Sequence, residues 1–391
     1  MQLPKDFPLQ APDLVCFSHL RWDSVFQRPQ HLMSRFARNR RVFFVEEPVF
    51  EPDLPAEAMG MRTRQVLDGL WVVTPVLRNG IEADAVEALQ QTLLERWLHD
   101  QDAGYSSFWY YTPMAMGFTR ALAPVTVAYD CMDELAAFKG APRALLAERE
   151  GELFGIANVV FTGGQSLFEA KRQCHPNVHL FASSVDVAHF ARARTPQPDP
   201  PEQAAIGHPR IGFAGVIDER MDLVLLETVA RLRPDWQFVL VGPVAIIDPA
   251  TLPRRENFHY LGPEPYTDLP AYLAGWDLAV LPFARNESTR HLSPTKTPEY
   301  LAAGRPAVAT PMRDVVHPYG HKGLVRIAET AEAFVAAGAL AMGEDTAESG
   351  WLVGVDAFVG GLSWERTWAG MAEALGRSEA LAIDARWGAS R

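Results

Sequence analysis

The residues whose types and spacing could do chemistry concentrate in LPFARNESTRHLSPTKTPEYLAAGRPAVAT, from Leu281 to Thr310. An apolar strand ends at Pro282–Phe283, a polar loop follows, and a short helical stretch closes at Gly304, which suits a helix C′ position. The helix start has two readings, Ser293 as cap before Pro294 or Thr297 as cap before Pro298. Either puts Lys296 and Glu299 within about two turns of the helix N-terminus. Free N–H groups and the dipole there attract a diphosphate, and Lys296 adds a full positive charge. Glu299 can accept hydrogen bonds from vicinal hydroxyls such as those of a ribose. Ser293 and Thr295 bring further hydroxyls to the same loop. The plainer reading is a surface helix with a solvated lysine and a glutamate that favours the dipole.

A second group of acids lies in AYDCMDELAAF, at the end of an apolar run over Val125–Asp130. Asp130, Asp133 and Glu134 cluster there, and paired carboxylates can raise one pKa and supply a general base. Asp130 is the leading candidate, with Asp23 as alternative, while Asp133 reads equally well as a helix N-cap. Nearer the N-terminus, His19, Asp23, Arg28 and His31 fall in or beside the loop after the first strand. Between Arg21 and Arg41 stand six arginines and a single acid, Asp23. Such a segment is either a solvated helix face or a basic face for anionic lipid. There is no D-x-D triplet, no H-E-x-x-H and no Cys/His cluster, so a metal site is not expected.

The elements that must position these residues alternate as short apolar runs and longer amphipathic stretches. That pattern predicts an α/β protein with largely parallel sheets. Strands are expected at Leu14–Ser18, Val42–Glu46, Trp71–Pro75, Phe108–Tyr111, Val125–Asp130, Val159–Thr162 and Val178–Phe181. In the second half they are expected at Arg210–Ala214, Gln237–Val241, Phe258–Leu261, Leu278–Pro282 and Ala307–Thr310. Helices are expected over Asp84–Leu98, Pro142–Phe154 and Ser363–Gly376, the last with Trp364, Trp368, Met371 and Leu375 at helical spacing. The stretch 192–209 carries five prolines and little apolar content, and reads as a linker. The domains expected are therefore 1–191, 210–362 and a final helix over 363–391.

Composition agrees with two domains. A chain of 391 residues with 48% hydrophobic and 21% charged residues is globular and too long for one ordinary core. A net charge of −12 argues against a nucleic-acid partner. Three scattered cysteines suit a reducing compartment. MQLPKDFPLQAPD has no basic n-region or apolar h-region, and no run spans a bilayer, so a cytoplasmic protein is expected.

S-P-x-K-x-x-E-Y-L-A-A-G-x-P, with LAVLPF before it, resembles the donor-binding signature of GT-B glycosyltransferases, close to the retaining family 4 group. That resemblance implies two Rossmann-like domains facing a central cleft, with a nucleotide sugar, most commonly a UDP-sugar, held by the second. In the family's E-x7-E motif Glu299 takes the second, ribose-holding position, and the first falls on His291. The segment Gly262–Tyr266 would lie beside the nucleobase, and Gly215 and Arg220 in GFAGVIDERMD would meet the phosphates. SWERTW resembles the ending of GT-B chains, whose last helix crosses back onto the N-domain. At the N-terminus, W-D-x-x-x-Q-R-P-Q-H-L resembles a bacterial group linked to surface or exopolysaccharide assembly. The resemblance implies a hexosyltransferase with no cofactor and no metal, its leaving diphosphate met by Lys296. It also implies a glycan or lipid-linked acceptor near His19, Arg28, His31 and Asp133, and peripheral contact with the inner membrane face. A nucleotide-sugar epimerase or a non-catalytic nucleotide-sugar-binding protein would use the same cleft.

Overall fold

Runs such as LVCF, VFFV and SFWY have no polar face, and they become central strands buried on both sides. The computed structural model describes residues 11–343 and 350–388. The leader reading of residues 1–10 lies outside the described residues, as does the end of the 363–391 segment beyond 388. The first half contributes β1 (Asp13–Ser18), β2 (Val42–Glu46), β3 (Val49–Glu51), β4 (Gly60–Leu67), β5 (Leu70–Arg78), β6 (Ser106–Tyr110), β7 (Val127–Cys131), β8 (Val159–Thr162) and β9 (Val178–Leu180). They form one sheet in the order β3-β5-β2-β1-β6-β7-β8-β9, parallel except where β4 folds antiparallel onto β5. The second half contributes β10 (Arg210–Ala214), β11 (Gln237–Val241), β12 (Phe258–Gly262), β13 (Leu278–Leu281), β14 (Ala307–Ala309) and β15 (Arg326–Ile327). These pair in parallel in the order β12-β11-β10-β13-β14-β15. Each sheet is doubly wound and reverses its strand order once, at β1/β6 and at β10/β13. Open α/β sheets bind ligands beyond the strand ends at such points.

Three of these strands escaped the sequence reading. The two-residue β15 and the three-residue β3 are too short to show a period. β4 reads MRTRQVL, too charged for a core strand, yet Asp68–Gly69 is a hairpin signal and Gly69 has φ +73°. The stretch 192–209 also departs from expectation: it is not a free linker. Gln203 is fully buried, accepts from the Trp276 indole at 2.9 Å and donates to the Tyr272 carbonyl. Asp199 pairs with Arg210 at 2.8 Å. The prolines limit regular structure, and side-chain contacts fasten the segment to the second domain.

The final helix runs Trp364–Gly388, longer than expected, and its Trp364, Met371 and Leu375 join Leu32, Met33 and Trp109 in the core on one face of the first sheet. This crossing helix changes the meaning of the Arg21–Arg41 segment. Arg35 and Arg38 pair with Glu365, and Arg40 pairs with Glu379. Arg21 pairs with Glu46, Arg28 with Asp130 and Arg41 with Asp13. Every arginine of the basic face expected for anionic lipid is therefore paired, Arg35 and Arg38 sharing one carboxylate. The acids come from remote segments that a window over 21–41 does not contain.

Candidate active site

The polar loop of Leu281–Thr310 folds beyond the end of β13, and its helix runs Lys296–Ala302, starting between the two expected caps. At seven residues this helix carries little of the expected dipole. It is fixed instead by Tyr300, fully buried, whose hydroxyl accepts from the Ala214 amide at 2.8 Å at the end of β10. Lys296 Nζ donates to Glu299 Oε2 at 3.0 Å, and both side chains are nearly buried. Burial raises the Glu299 pKa while Lys296 opposes it. Gly215, just past β10, lies so near that a Cβ there would sit 3.4 Å from Lys296 Cε. Gly242, just past β11, has φ +146°, and a Cβ on it would come within 1.9 Å of the Gly215 carbonyl oxygen. Two strand ends thus meet backbone to backbone, which only glycine permits. Sequence reasoning missed Gly242, although a glycine directly after a strand was visible.

Gly215, Gly242 and Lys296 line a cavity of about 600 Å³ that also takes in Trp22, Asp23, Phe26, Pro243, Glu264, Pro265, Tyr266 and Leu269, while Glu299 sits behind Lys296, outside the lining. A narrower extension of about 110 Å³ shares Val25, Gly215 and Lys296 and is lined by Arg28, Asp133, Arg220, Ser293 and Thr295. Both domains form the walls. Tyr266 lines the wider part, but its ring is stacked on His189 at 4.3 Å and lies 4.8 Å from Phe26. Its flat faces are therefore engaged by side chains. Arg220 reaches the narrow part while chelated by Asp218, with Nη2–Oδ2 at 2.6 Å, so its charge is shared.

Several candidates are placed elsewhere. Asp130 is fully buried and held by Arg28 through two hydrogen bonds, Nε–Oδ2 at 2.9 Å and Nη2–Oδ1 at 2.8 Å. That geometry removes it as the expected base, and Glu134 is taken by Lys171. Of the three acids only Asp133 lines the narrow part, its pKa raised by burial against the pull of Arg220. Asp23 is exposed at the rim of the wider part, where it pairs with the exposed Arg64. His291 stands outside the lining, next to Leu292 and Ser293, its Nδ1 unpaired and its pKa lowered by burial. His19 borders neither part, and burial lowers its pKa to about 4. His31 stacks on Trp364 at 4.5 Å and meets Phe26 edge-on, so it is packing rather than an acceptor contact.

Burial lowers the His31 pKa to about 3. Both His19 and His31 are thus neutral when folded but take a proton near 6.5 when unfolded. Stability is expected to be full above pH 6.5 and to fall below it by about 1.4 kcal/mol per unit for each histidine, down to about pH 4 for His19 and about pH 3 for His31. Denaturant melts across that range check this, and a flat profile contradicts it.

Residues 208–342 match the family described as glycosyl transferases group 1. The chain is also similar to the Bacillus subtilis (strain 168) protein TuaH, described as a teichuronic acid biosynthesis glycosyltransferase. They are 32% identical over 103 residues, 26% of either chain, so the match spans about a quarter of that relative's length. Solved structures agree over nearly the whole chain. One described as trehalose-6-phosphate from E. coli bound with UDP-2-fluoro glucose has a TM-score of 0.67 at 10% identity, covering 93% of this chain and 98% of that one. Sucrose-phosphate synthase from Thermosynechococcus elongatus has a TM-score of 0.68 at 13% identity, covering 95% and 100%. At such identities these likenesses show the fold, which is GT-B.

The second domain meets the first across a close contact that sequence reasoning missed. Asp314 accepts from the Ser166 amide at 3.1 Å and 3.3 Å, capping the first turn of a first-domain helix. A Cβ on Gly164 would sit 2.4 Å from Asp314 Oδ2 and 2.7 Å from the Cβ of Ser293, a cavity residue. Gly164→Ala is expected to hold the domains apart. Small-angle scattering should show a larger radius of gyration than wild type, and an unchanged radius would contradict the contact's role.

Proposed function

We propose that the chain is a metal-independent glycosyltransferase that moves a hexose from a nucleotide sugar, a UDP-sugar in first place, to a glycan or lipid-linked acceptor of a bacterial surface polysaccharide. The observation that carries this is Lys296, held from behind by Glu299, beside the Gly215–Gly242 contact in a cavity at the strand-order reversal of the domain that matches glycosyl transferases group 1. The nucleoside occupies the wider part, with Glu299 on the ribose hydroxyls. The diphosphate lies against Lys296, Ser293 and Thr295, with Arg220 as a shared cation. The sugar enters the narrow part towards Asp133. In the reaction the bond from the anomeric carbon to the diphosphate oxygen breaks and one to the acceptor oxygen forms. The acceptor proton passes to the departing phosphate or to Asp133, whose raised pKa suits a base. Lys296 meets the charge developing on the leaving group, the role a divalent ion would otherwise fill.

Solved relatives described with UDP-2-fluoro glucose, and an Anabaena protein in complex with UDP and glucose, support the choice of UDP. The teichuronic acid relative and the W-D-x-x-x-Q-R-P-Q-H-L loop support a surface polymer, and S-P-x-K-x-x-E supports the family 4 type. A thermal-shift screen of UDP, GDP and ADP, each with and without EDTA, tests the reading. UDP at about a hundred times its Kd should stabilise the protein by about 2.7 kcal/mol, unaffected by EDTA. No shift with any nucleotide would remove the proposal, and a shift abolished by EDTA would remove its metal-independent part.

A further inference from the structure

The first sheet has its own strand-order reversal, between β1 and β6, and a second cavity of about 500 Å³ opens there. Phe17 and Ser18 from β1, Val45 and Glu46 from β2, and Thr112 after β6 form its floor. Val86, Glu87 and Gln90 of the Ala83–Asp100 helix, with Met114, Phe118 and Arg149, form its walls. It is walled off from the nucleotide cavity by the Trp22–Glu46 link. Trp22 lines one cavity and donates its amide at 2.7 Å to Glu46, which lines the other.

Most polar groups of this cavity are satisfied. Glu46 holds Arg21, the Trp22 amide and Thr74. Glu87 is paired with Arg149, Ser18 with the Leu20 carbonyl, and Thr112 with the Met114 amide. Gln90 differs: it is only 6% exposed, and its side-chain amide bonds to no described residue. Arg149 is 5% exposed, and its Nε also lacks a partner among the described residues. An unpaired amide facing a cavity of mixed apolar and polar walls calls for an occupant that both donates and accepts. Glu46, Glu47 and Glu87 outnumber Arg149 around it and disfavour an anion such as a nucleoside diphosphate. An alkyl chain would bury the Gln90 amide without a partner, at a cost.

We propose that this cavity binds a neutral sugar ring, whose hydroxyls exchange hydrogen bonds with Gln90 and whose C–H face packs on Phe118 and Val86. The cavity volume lies within the usual ~300–1,000 Å³ of small-molecule sites. That the ring belongs to the acceptor rests on the proposed transferase function, whereas the binding itself does not.

Saturation-transfer NMR on the full chain tests this, with the methyl glycosides of glucose, galactose and N-acetylglucosamine, and with hexyl glucoside, as probes. Ring protons of at least one methyl glycoside should saturate, undiminished by excess UDP. Gln90→Leu, nearly isosteric, should weaken that binding about fivefold, and Phe118→Ala should weaken it too, with UDP thermal shifts unchanged in both. The site is overturned if no methyl glycoside saturates, if UDP displaces it, or if both variants bind as wild type. Saturation confined to the hexyl chain overturns it as well, since that describes an apolar slot. If glycosides bind and UDP does not, the transferase reading fails and this site stands; the converse leaves the transferase and removes the site.

Discussion

Lys296→Ala and Glu299→Ala are each expected to abolish most sugar transfer while leaving the fold intact. Each removes a charged partner that the proposed mechanism places on the nucleoside diphosphate, a loss of about 2–4 kcal/mol in transition-state stabilisation, or roughly 30- to 1,000-fold in rate. The two lesions differ in cause. Without Lys296, the buried Glu299 loses the one group that holds its pKa down, so its carboxyl shifts further towards the neutral acid. The leaving phosphate then lacks its cation, and turnover falls more than affinity. Without Glu299, the ribose loses its anchor, so the loss appears largely in KM. Each change also strands one partner of a nearly buried pair, so some loss of stability is expected, while Tyr300 and its bond to Ala214 keep the helix in place and the variants folded. Steady-state transfer rates with the donor found by thermal shift provide the measurement. Near-normal kcat and KM in both variants would contradict the site.

The fold was legible in the sequence wherever burial is uniform. Long apolar runs such as VFFV and LAVL can only be central strands of a covered parallel sheet, and they appear within a residue or two of expectation. The grouping in the second-domain half of the candidate site was legible for a related reason: Ser293, Thr295 and Lys296 are local in sequence and line one cavity, and Glu299 three residues on pairs with Lys296. The other half was not, because its determinants are long-range. Asp130 looked like an accessible carboxylate until Arg28, 102 positions away, proved to enclose it. The arginines of 21–41 looked like a free basic face until a helix more than 320 positions downstream supplied Glu365 and Glu379. Asp314 at Ser166 and Gln90 in the first-domain cavity belong to the same class. Charges two or three residues apart can be read from a sequence, but those brought together by topology depend on the packing of whole domains.

Asp130→Asn is expected to destabilise the first domain by about 3–5 kcal/mol, the cost of stranding one partner of a buried ion pair. Arg28 is 2% exposed and Asp130 fully buried, joined by two parallel hydrogen bonds. The remaining Arg28 donors go to the Phe181 carbonyl at 2.7 Å and the Met371 sulfur at 3.6 Å, neither of which carries charge. An asparagine would keep the shape but leave the guanidinium without a counter-ion in a dry interior. The double change Asp130→Asn with Arg28→Met removes both charges and should recover much of the loss, since replacing a whole buried pair is far less costly than breaking it. Denaturant melts of the two single variants and the double give the coupling directly. The first expectation for Asp130, a general base, makes the opposite forecast: transfer lost, stability unchanged, and no rescue by Arg28→Met. Lost turnover at wild-type stability would restore Asp130 to the chemistry. A large stability loss, relieved in the double variant, makes it the residue that ties the loop after β1 to the end of β7, against the crossing helix at Met371.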